Sequence, residues 1–393
     1  MVNKELLENS AKIQDELVSI RRKIHSNPEL GHKEFKTSKL ISDFLESLGL
    51  EVIKNVGITG VVGILKGENP GKTLLIRADM DALPILEQND VDYSSKNEGV
   101  MHACGHDAHV TWLLGTAKIL TEFKSEIKGT IKFVFQPAEE APNGAMSVIN
   151  DGVLDNPKVD AAIAAHAWPE IESGKFGIIT GPAMAAPDFF KITIKGRGGH
   201  GSQPEKCIDP ILVGHEIYNA LLSIPNKDIG ALDPSVLTVT KFSGGNSENV
   251  IPDTMTMEGT ARTLSYEARK KMPVLMEKII AGITDIHGAE YEMEYRSNTP
   301  PLINDGIITS LLSNSIEELL GEEKVYNIEK PSMGGEDFSC YLEKVPGTMF
   351  YVGIYNEKKE AIYPIHHPKF NIDEDVLSKA SAVFAKFALD YLK

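Results

Sequence analysis

The chain has 393 residues, 42 % apolar and 24 % charged, which is the composition of an ordinary soluble globular protein and enough chain for two cores. Its formal charge of −16 excludes the usual basic nucleic-acid surface, and no apolar run approaches the roughly 20 residues of a membrane span. The opening MVNKELLENSAKIQDEL has no apolar signal core, and Cys104, Cys207 and Cys340 are too few and scattered for a disulfide framework, so a reducing cytoplasm is expected.

In chain order, a helix is predicted through Ile13, Leu17, Ile20 and Ile24, stopping before Asn27-Pro28. A second, KTSKLISDFLESLG, ends at Gly49 as a C-cap. Strands VVGIL and TLLIRA follow, then helix VTWLLGTAKILTEF, strand TIKFVFQ, short helix GAMSVIND and strand VDAAIAAH, which ends at His166. Strands alternating with helices imply an α/β fold with a mostly parallel central sheet covered on both faces.

Near Ala186 the character changes. DFFKITIKG alternates like a half-exposed strand. A helix at Pro210 to Leu222, strands SVLTVTKFSG and TMTMEGTAR, a helix from Tyr266 to Ile286 and strand AEYEMEYR follow. That order fits a small α+β domain with one open sheet face. After Pro300-Pro301 the α/β style returns with a helix near Ile307 to Leu320, strand MFYVGI and a C-terminal helix. The expectation is a discontinuous catalytic domain, 1–183 and 299–393, interrupted by a smaller inserted domain, 184–298.

In open α/β sheets ligands bind beyond the carboxyl ends of the strands, and the polar clusters of this chain fall there. TLLIRA runs into Asp79-Met80-Asp81, TIKFVFQ into Gln136-Pro137-Ala138-Glu139-Glu140, and MFYVGIY leads to PIHHPKF with His366 and His367. The segment MHACGHDAHV, residues 101–110, packs Cys104 and His106 into a loop that enters a helix. A lone strand-end His or a Glu-Glu pair is ordinarily solvated, and buried free cysteine is common. It is the convergence that points to a metal site. Thiolate, imidazole and carboxylate together suit Zn²⁺, Mn²⁺, Co²⁺ or Ni²⁺ rather than Ca²⁺ or Mg²⁺. The candidates outnumber the needs of one ion, so two ions are expected, with Cys104 able to bridge them. Of Glu139 and Glu140, one can coordinate while the other takes the proton of an ion-polarised water, a design for hydrolysis. No phosphate loop stands nearby, GRGGHG lacks the full dinucleotide fingerprint, and no Gly-x-Ser-x-Gly elbow is present.

Taken together, RRKIHSNPELGHKE, RADMDALPI, MHACGHDAH, FQPAEE, AAHAWP, GRGGHGSQPE, NVIPD, GTART, GGEDFS and IHHPKF resemble, in this order, the metal-dependent amidohydrolases of the aminoacylase and carboxypeptidase clan, and most of all the hippurate and auxin-conjugate hydrolase branch. The resemblance covers nearly the whole chain. It implies a dinuclear catalytic domain, a lid that also forms a homodimer or homotetramer, and hydrolysis of N-acyl-amino acids. A dipeptidase, a carboxypeptidase or an N-acetyl-diaminopimelate deacetylase is the alternative on the same scaffold. Carried onto this sequence, Cys104, His106, Glu140, His166 and His366 match the metal ligands, Glu139 the catalytic base, and Asp81 an aspartate that orients the centre. Asp79 stands where more distant carboxypeptidase-like relatives place a ligand histidine, and is not counted as a ligand. His200 resembles a lid histidine presented to the substrate carbonyl, often across the dimer interface. A turn residue in a glycine-rich loop is the alternative explanation, and the functional one is preferred. Asn249 and Arg262 are candidates to hold the scissile group or the substrate carboxylate, and Gly334 and Gly335 to let backbone approach the substrate. His25 is read as packing at a helix end.

Overall fold

The structure, a computed structural model, describes residues 2–230 and 232–393. Helices α1 (Val2–Lys12), α2 (Gln14–His25) and α3 (Phe35–Ser47) open the chain. Strands β1 (Glu51–Val56), β2 (Gly60–Lys66) and β3 (Asn69–Asp79) follow, then α4 (His106–Glu122), β4 (Lys128–Gln136), α5 (Gly144–Asn150), β5 (Ala161–Glu172) and β6 (Phe176–Ile178). The middle holds β7 (Gly181–Met184), β8 (Ala186–Lys195), β9 (Gly199–His200), α6 (Pro210–Leu221), β10 (Ser235–Gly244), β11 (Val250–Ile251), β12 (Thr254–Thr263), α7 (Tyr266–His287), β13 (Glu290–Arg296) and β14 (Leu302–Asn304). The chain closes with α8 (Gly306–Leu320), β15 (Val325–Asn327), α9 (Ser339–Leu342), β16 (Gly347–Tyr355) and α10 (Leu377–Tyr391).

Contacts divide the chain into two compact units. One holds residues up to Gly181, Asn304–Glu329 and Cys340–Lys393; the other holds Pro182–Ile303 and Lys330–Ser339. The first is built on an eight-stranded sheet of order β1-β2-β4-β3-β5-β16-β6-β15. Its centre, β4-β3-β5-β16, is parallel throughout, while β1/β2, β2/β4 and β16/β6 are antiparallel. The parallel strands are buried on both faces, which is why they read as continuous apolar runs. Helix α4 is buried along nearly all its length, with polar residues His106, Asp107 and His109 in its first turn and an apolar run from Trp112 to Leu114 beyond it. No helix among the described residues is long and apolar enough to cross a membrane.

Two differences from the sequence reading have physical causes. The strand VDAAIAAH does not end at His166: β5 runs on to Glu172, and His166 sits mid-strand opposite Tyr351 of β16. A histidine ends an apolar run without ending a strand when the neighbouring ladder continues and its ring finds partners. Strand β1 was not predicted because it is a largely exposed edge strand with no buried stripe to mark it.

The second unit carries a four-stranded sheet, β10-β12-β8-β13, antiparallel at every pair. Its core joins Ile192, Ile194 and Met257 of the sheet to Ile217 of α6 and Met272 and Met276 of α7. Lys330–Ser339 clusters here, apart from Asn304–Glu329 and Cys340–Lys393 on either side of it. Ser332 N–H donates to the Ala183 carbonyl at 2.9 Å, and Ala185 N–H donates to the carbonyls of Ser332 at 3.1 Å and Gly334 at 2.9 Å. No periodicity announces such a pairing.

In the first unit, Asp373 anchors the loop before α10. It accepts from Lys359 Nζ at 2.8 Å, Ser173 Oγ at 2.6 Å and Asn356 Nδ2 at 2.7 Å. Burial opposes its charge, but these donors prevail and bring its pKa from 3.8 down to about 2. A lowered carboxylate pKa contributes stability that is complete above the ordinary value and lost as pH falls through the folded one. Asp373→Asn should therefore lower the urea midpoint at about pH 7, with the gap to the parent chain narrowing as pH drops below about 4. A gap independent of pH would refute this account.

Candidate metal centre

The loop into α4 presents the first two ligand candidates. Gly105, between Cys104 and His106, has φ +91°, and a Cβ there would lie 3.0 Å from the Ala167 Cβ. Both the left-handed backbone and the close approach call for glycine. The turn buries Cys104 and His106 side by side, with Cys104 Sγ 3.4 Å from His166 Nε2.

Two sets of three ligand atoms then converge. Those of Cys104, His106 and His166 lie within 4.8 Å of one another, and so do those of Cys104, Glu140 and His366. The sets share Cys104. His106, Glu139 and Glu140 form a further such group, which brings Glu139 to the same place. His366 adopts φ +65°, its N–H is bound to the Ala103 carbonyl at 2.7 Å, and its Nε2 lies 3.0 Å from Glu140 Oε1. His367 turns elsewhere, stacked on Tyr363 at 4.6 Å and accepting from the Lys369 N–H at 3.0 Å.

The partners of each ring decide its tautomer. His166 Nδ1 is 2.8 Å from the Ala167 carbonyl, which can only accept, so Nδ1 carries the proton and the Nε2 lone pair faces Cys104. His106 Nδ1 donates to Asp81 Oδ1 at 3.1 Å. Its Nε2 is buried with no hydrogen-bond partner, an arrangement that is unfavourable unless something else takes the lone pair. Asp81 Oδ2 accepts the Glu140 N–H at 3.0 Å, so one carboxylate steadies both residues. A ligand histidine held through its other nitrogen by a carboxylate is the usual outer arrangement of a metal site.

The charges fit a cation as well. Burial, then Glu140, Glu139 and Asp79, push the Cys104 thiol well up. Burial opposes protonation of His106, yet Asp79 and Asp81 raise it to about 10. This crowd of carboxylates draws positive charge, and a divalent ion would reverse both tendencies, favouring thiolate and neutral imidazole. The donor set passes the test for Zn²⁺, Mn²⁺, Co²⁺ or Ni²⁺.

A supporting layer lies behind these groups. Asp79 bridges Arg77 Nη1 and His109 Nδ1, each at 2.6 Å, and His109 Nε2 accepts the Ala167 N–H at 2.9 Å. With both ring nitrogens engaged, His109 has no lone pair for an ion, although it and Asp79 lie close to His106. Asp107 is paired with Arg21 and His25, each at 2.8 Å, and His25 also reaches Glu87 at 3.1 Å. His25 is thus part of a buried charge network beyond simple packing. Sequence reasoning missed this layer; the only signal was the presence of Asp107 and His109 inside the same motif as His106.

His200, Asn249, Arg262, Gly334 and Gly335 belong to the second unit. There the β9/β11 ladder brings His200 and Asn249 together: His200 pairs with Val250, and the Gly201 N–H donates to the Asn249 carbonyl at 2.8 Å. Arg262 lies over the Phe189 ring, 5.9 Å from its centroid. A Cβ at Gly335 would fall 2.5 Å from Pro187 Cγ, which supplies a packing reason for that glycine.

The profile of Peptidase family M20/M25/M40 matches residues 75–390. The chain belongs to this family. Among its relatives, thermostable carboxypeptidase 2 of Saccharolobus solfataricus is 43 % identical over 98 % of both chains. N-acetylcysteine deacetylase of Bacillus subtilis is 40 % identical over 96 % of this chain and 97 % of its own. The crystal structure of the B. subtilis YXEP protein, a dinuclear metal binding peptidase of the M20 family, superposes with a TM-score of 0.87 at 37 % identity, covering 97 % of this chain and 99 % of that one. The M20 fold, an α/β domain with a mostly parallel sheet and a second smaller unit, is therefore the fold of this chain. M20 members hydrolyse amide bonds with metal ions, and this chain is an enzyme of that kind.

Proposed function

We propose that the chain hydrolyses the amide bond of N-acyl-L-amino acids, using two divalent ions held by Cys104, His106, Glu140, His166 and His366. The observation that carries this reading is the pair of three-residue ligand sets sharing Cys104, with a buried, unpartnered nitrogen on His106 beside them. When bound, such ions would polarise the substrate carbonyl and make the attacking water more acidic. Glu139 takes the proton from the attacking water and returns it to the leaving amine. Asp81 keeps His106 and Glu140 in place through its two oxygens.

His200 supports a further role in the same reading. Its Nδ1 accepts the Ser202 N–H at 3.2 Å, which puts the ring proton on Nε2 and leaves that atom a donor. A donor aimed at the developing oxyanion contributes about 2.7–4 kcal/mol. Asn249, Arg262, Gly334 and Gly335 complete the substrate site in this proposal, and a homodimer or homotetramer through the second unit supplies His200 to a neighbouring subunit. Three cysteines outside any disulfide, with Cys104 needed as a thiolate, favour a reducing cytoplasm.

The substrate class follows the deacetylase and amidohydrolase relatives. The identity with a carboxypeptidase supports cleavage of a C-terminal residue from short peptides as the second reading. A panel of N-acetyl- and N-benzoyl-amino acids beside dipeptides and blocked peptides separates the two. Hydrolysis should be fastest on the N-acyl series, vanish after chelation, and return with Mn²⁺, Zn²⁺, Co²⁺ or Ni²⁺. Full activity in protein shown metal-free by elemental analysis would sink the proposal.

A further inference from the structure

Glu139 and Glu140 follow β4 in the turn from Gln136 to Glu140, and that turn is strained. Ala138 has φ +57°, the left-handed region that disfavours any residue with a Cβ. The turn's own residues offer no reason for it, since no glycine or asparagine stands there.

The reason comes from residue 34. Glu34, at the start of α3, is fully buried. One of its oxygens accepts the Ala138 N–H at 2.9 Å, and the other accepts the Thr59 hydroxyl at 2.6 Å. Burial, with the charge of Asp81 adding to it, raises the Glu34 pKa, so the carboxyl sits here against its own solvation preference. The surroundings close on the same residue. A Cβ at Gly31 would lie 3.1 Å from Ala138 Cα, and one at Gly144 would lie 2.2 Å from the Ala138 carbonyl oxygen. Independently, Asp81 accepts the Glu140 N–H at 3.0 Å. Two carboxylates thus hold two N–H groups of one turn, and Glu139 lies between the two points of attachment.

We infer that Glu34 is the positioning residue for Glu139: by accepting the Ala138 N–H it holds the left-handed turn that sets the direction of the proton acceptor. Glu140 keeps its own tie to Asp81, so loss of the Glu34 bond displaces Glu139 and leaves the ligand in place. The GHKE segment at 31–34 acquires a purpose: Gly31 permits the close approach and Glu34 makes the bond. The inference rests on the reading of Glu139 as the proton acceptor.

The test compares Glu34→Gln, Glu34→Asp and Glu34→Asp combined with Ala138→Gly in the metal-loaded full chain, reading kcat, KM and metal content. The glutamine keeps an acceptor at full reach and loses the charge, and should stay within about threefold of the parent kcat. The aspartate keeps the charge but withdraws the acceptor by one methylene. Its kcat should fall about 10- to 100-fold with KM and metal content unchanged, the scale of a small misplacement of a reacting group. Ala138→Gly, which enters the left-handed region freely, should restore at least about fivefold to the aspartate variant. The inference is overturned if the aspartate variant is as active as the glutamine variant, if kcat falls only in step with metal loss, or if the glycine restores nothing. Glu139→Gln is assayed alongside. Its full activity would overturn the reading of Glu139, whereas an inactive Glu139→Gln beside a fully active Glu34→Asp overturns the positioning role alone.

Discussion

Glu139→Gln should bind its ions as the parent chain does and lose turnover by about 10²–10⁴-fold, the scale of a missing general base. Glu140→Gln should do the opposite and fail first in metal binding. The two side chains are adjacent in sequence but differ in what they face. Glu140 Oε1 lies 3.0 Å from His366 Nε2, its N–H is fixed to Asp81, and its ligand atom joins those of Cys104 and His366. Burial opposes its charge, but His366 and His106 lower its pKa, so it stands ready as a carboxylate. Glutamine there keeps the shape and loses the negative charge. Affinity should drop by at least about 10–100-fold, the loss seen when even a supporting group of a metal site is removed. Metal titration followed by elemental analysis, with single-turnover rates on the same samples, separates binding from chemistry. The reverse pattern would show the roles of the pair to be exchanged.

Removing the Asp107 carboxylate should unfold the chain more readily than any other single change near the centre. Arg21 is fully buried, with Nε 2.8 Å from Asp107 Oδ2, and the same oxygen lies 2.8 Å from His25 Nδ1. Burial alone would raise the Asp107 pKa, yet Arg21 and His25 hold it far below the ordinary carboxylate range, so it is ionised throughout the neutral region. In Asp107→Ala, Arg21 keeps only its outer partners, Glu374 at 3.1 Å among them. Breaking a buried pair by deleting one member costs about 3–5 kcal/mol, whereas replacing both members by apolar groups of similar volume is often close to neutral. Urea unfolding of metal-free protein at about pH 7 should therefore show a loss of that size for Asp107→Ala and a much smaller one for Arg21→Met with Asp107→Leu. A single-variant loss below about 1 kcal/mol would show the network to be dispensable. The same variant should bind metal more weakly, because Asp107 follows His106 at the start of α4.

The sequence by itself determined the family, the alternation that builds the parallel sheet, and the residue types that meet in the centre. Those are local properties. Cys104-x-His106 and Glu139-Glu140 are ligand-type residues at short spacing, and strands β3, β4 and β16 carry their apolar character in their own composition. Which nitrogen of His106 faces the ligand atoms is not a local property. It follows from Asp81, 25 positions away, and so from a distance that exists only after packing. The same holds for Arg21 with Asp107, 86 positions apart, and for Glu34 with Ala138, 104 apart. A buried charge has no periodicity, and a hydrogen bond across such a separation leaves no pattern in either segment. Only the folded chain decides which buried polar group answers which, because each must find a partner once water has been excluded.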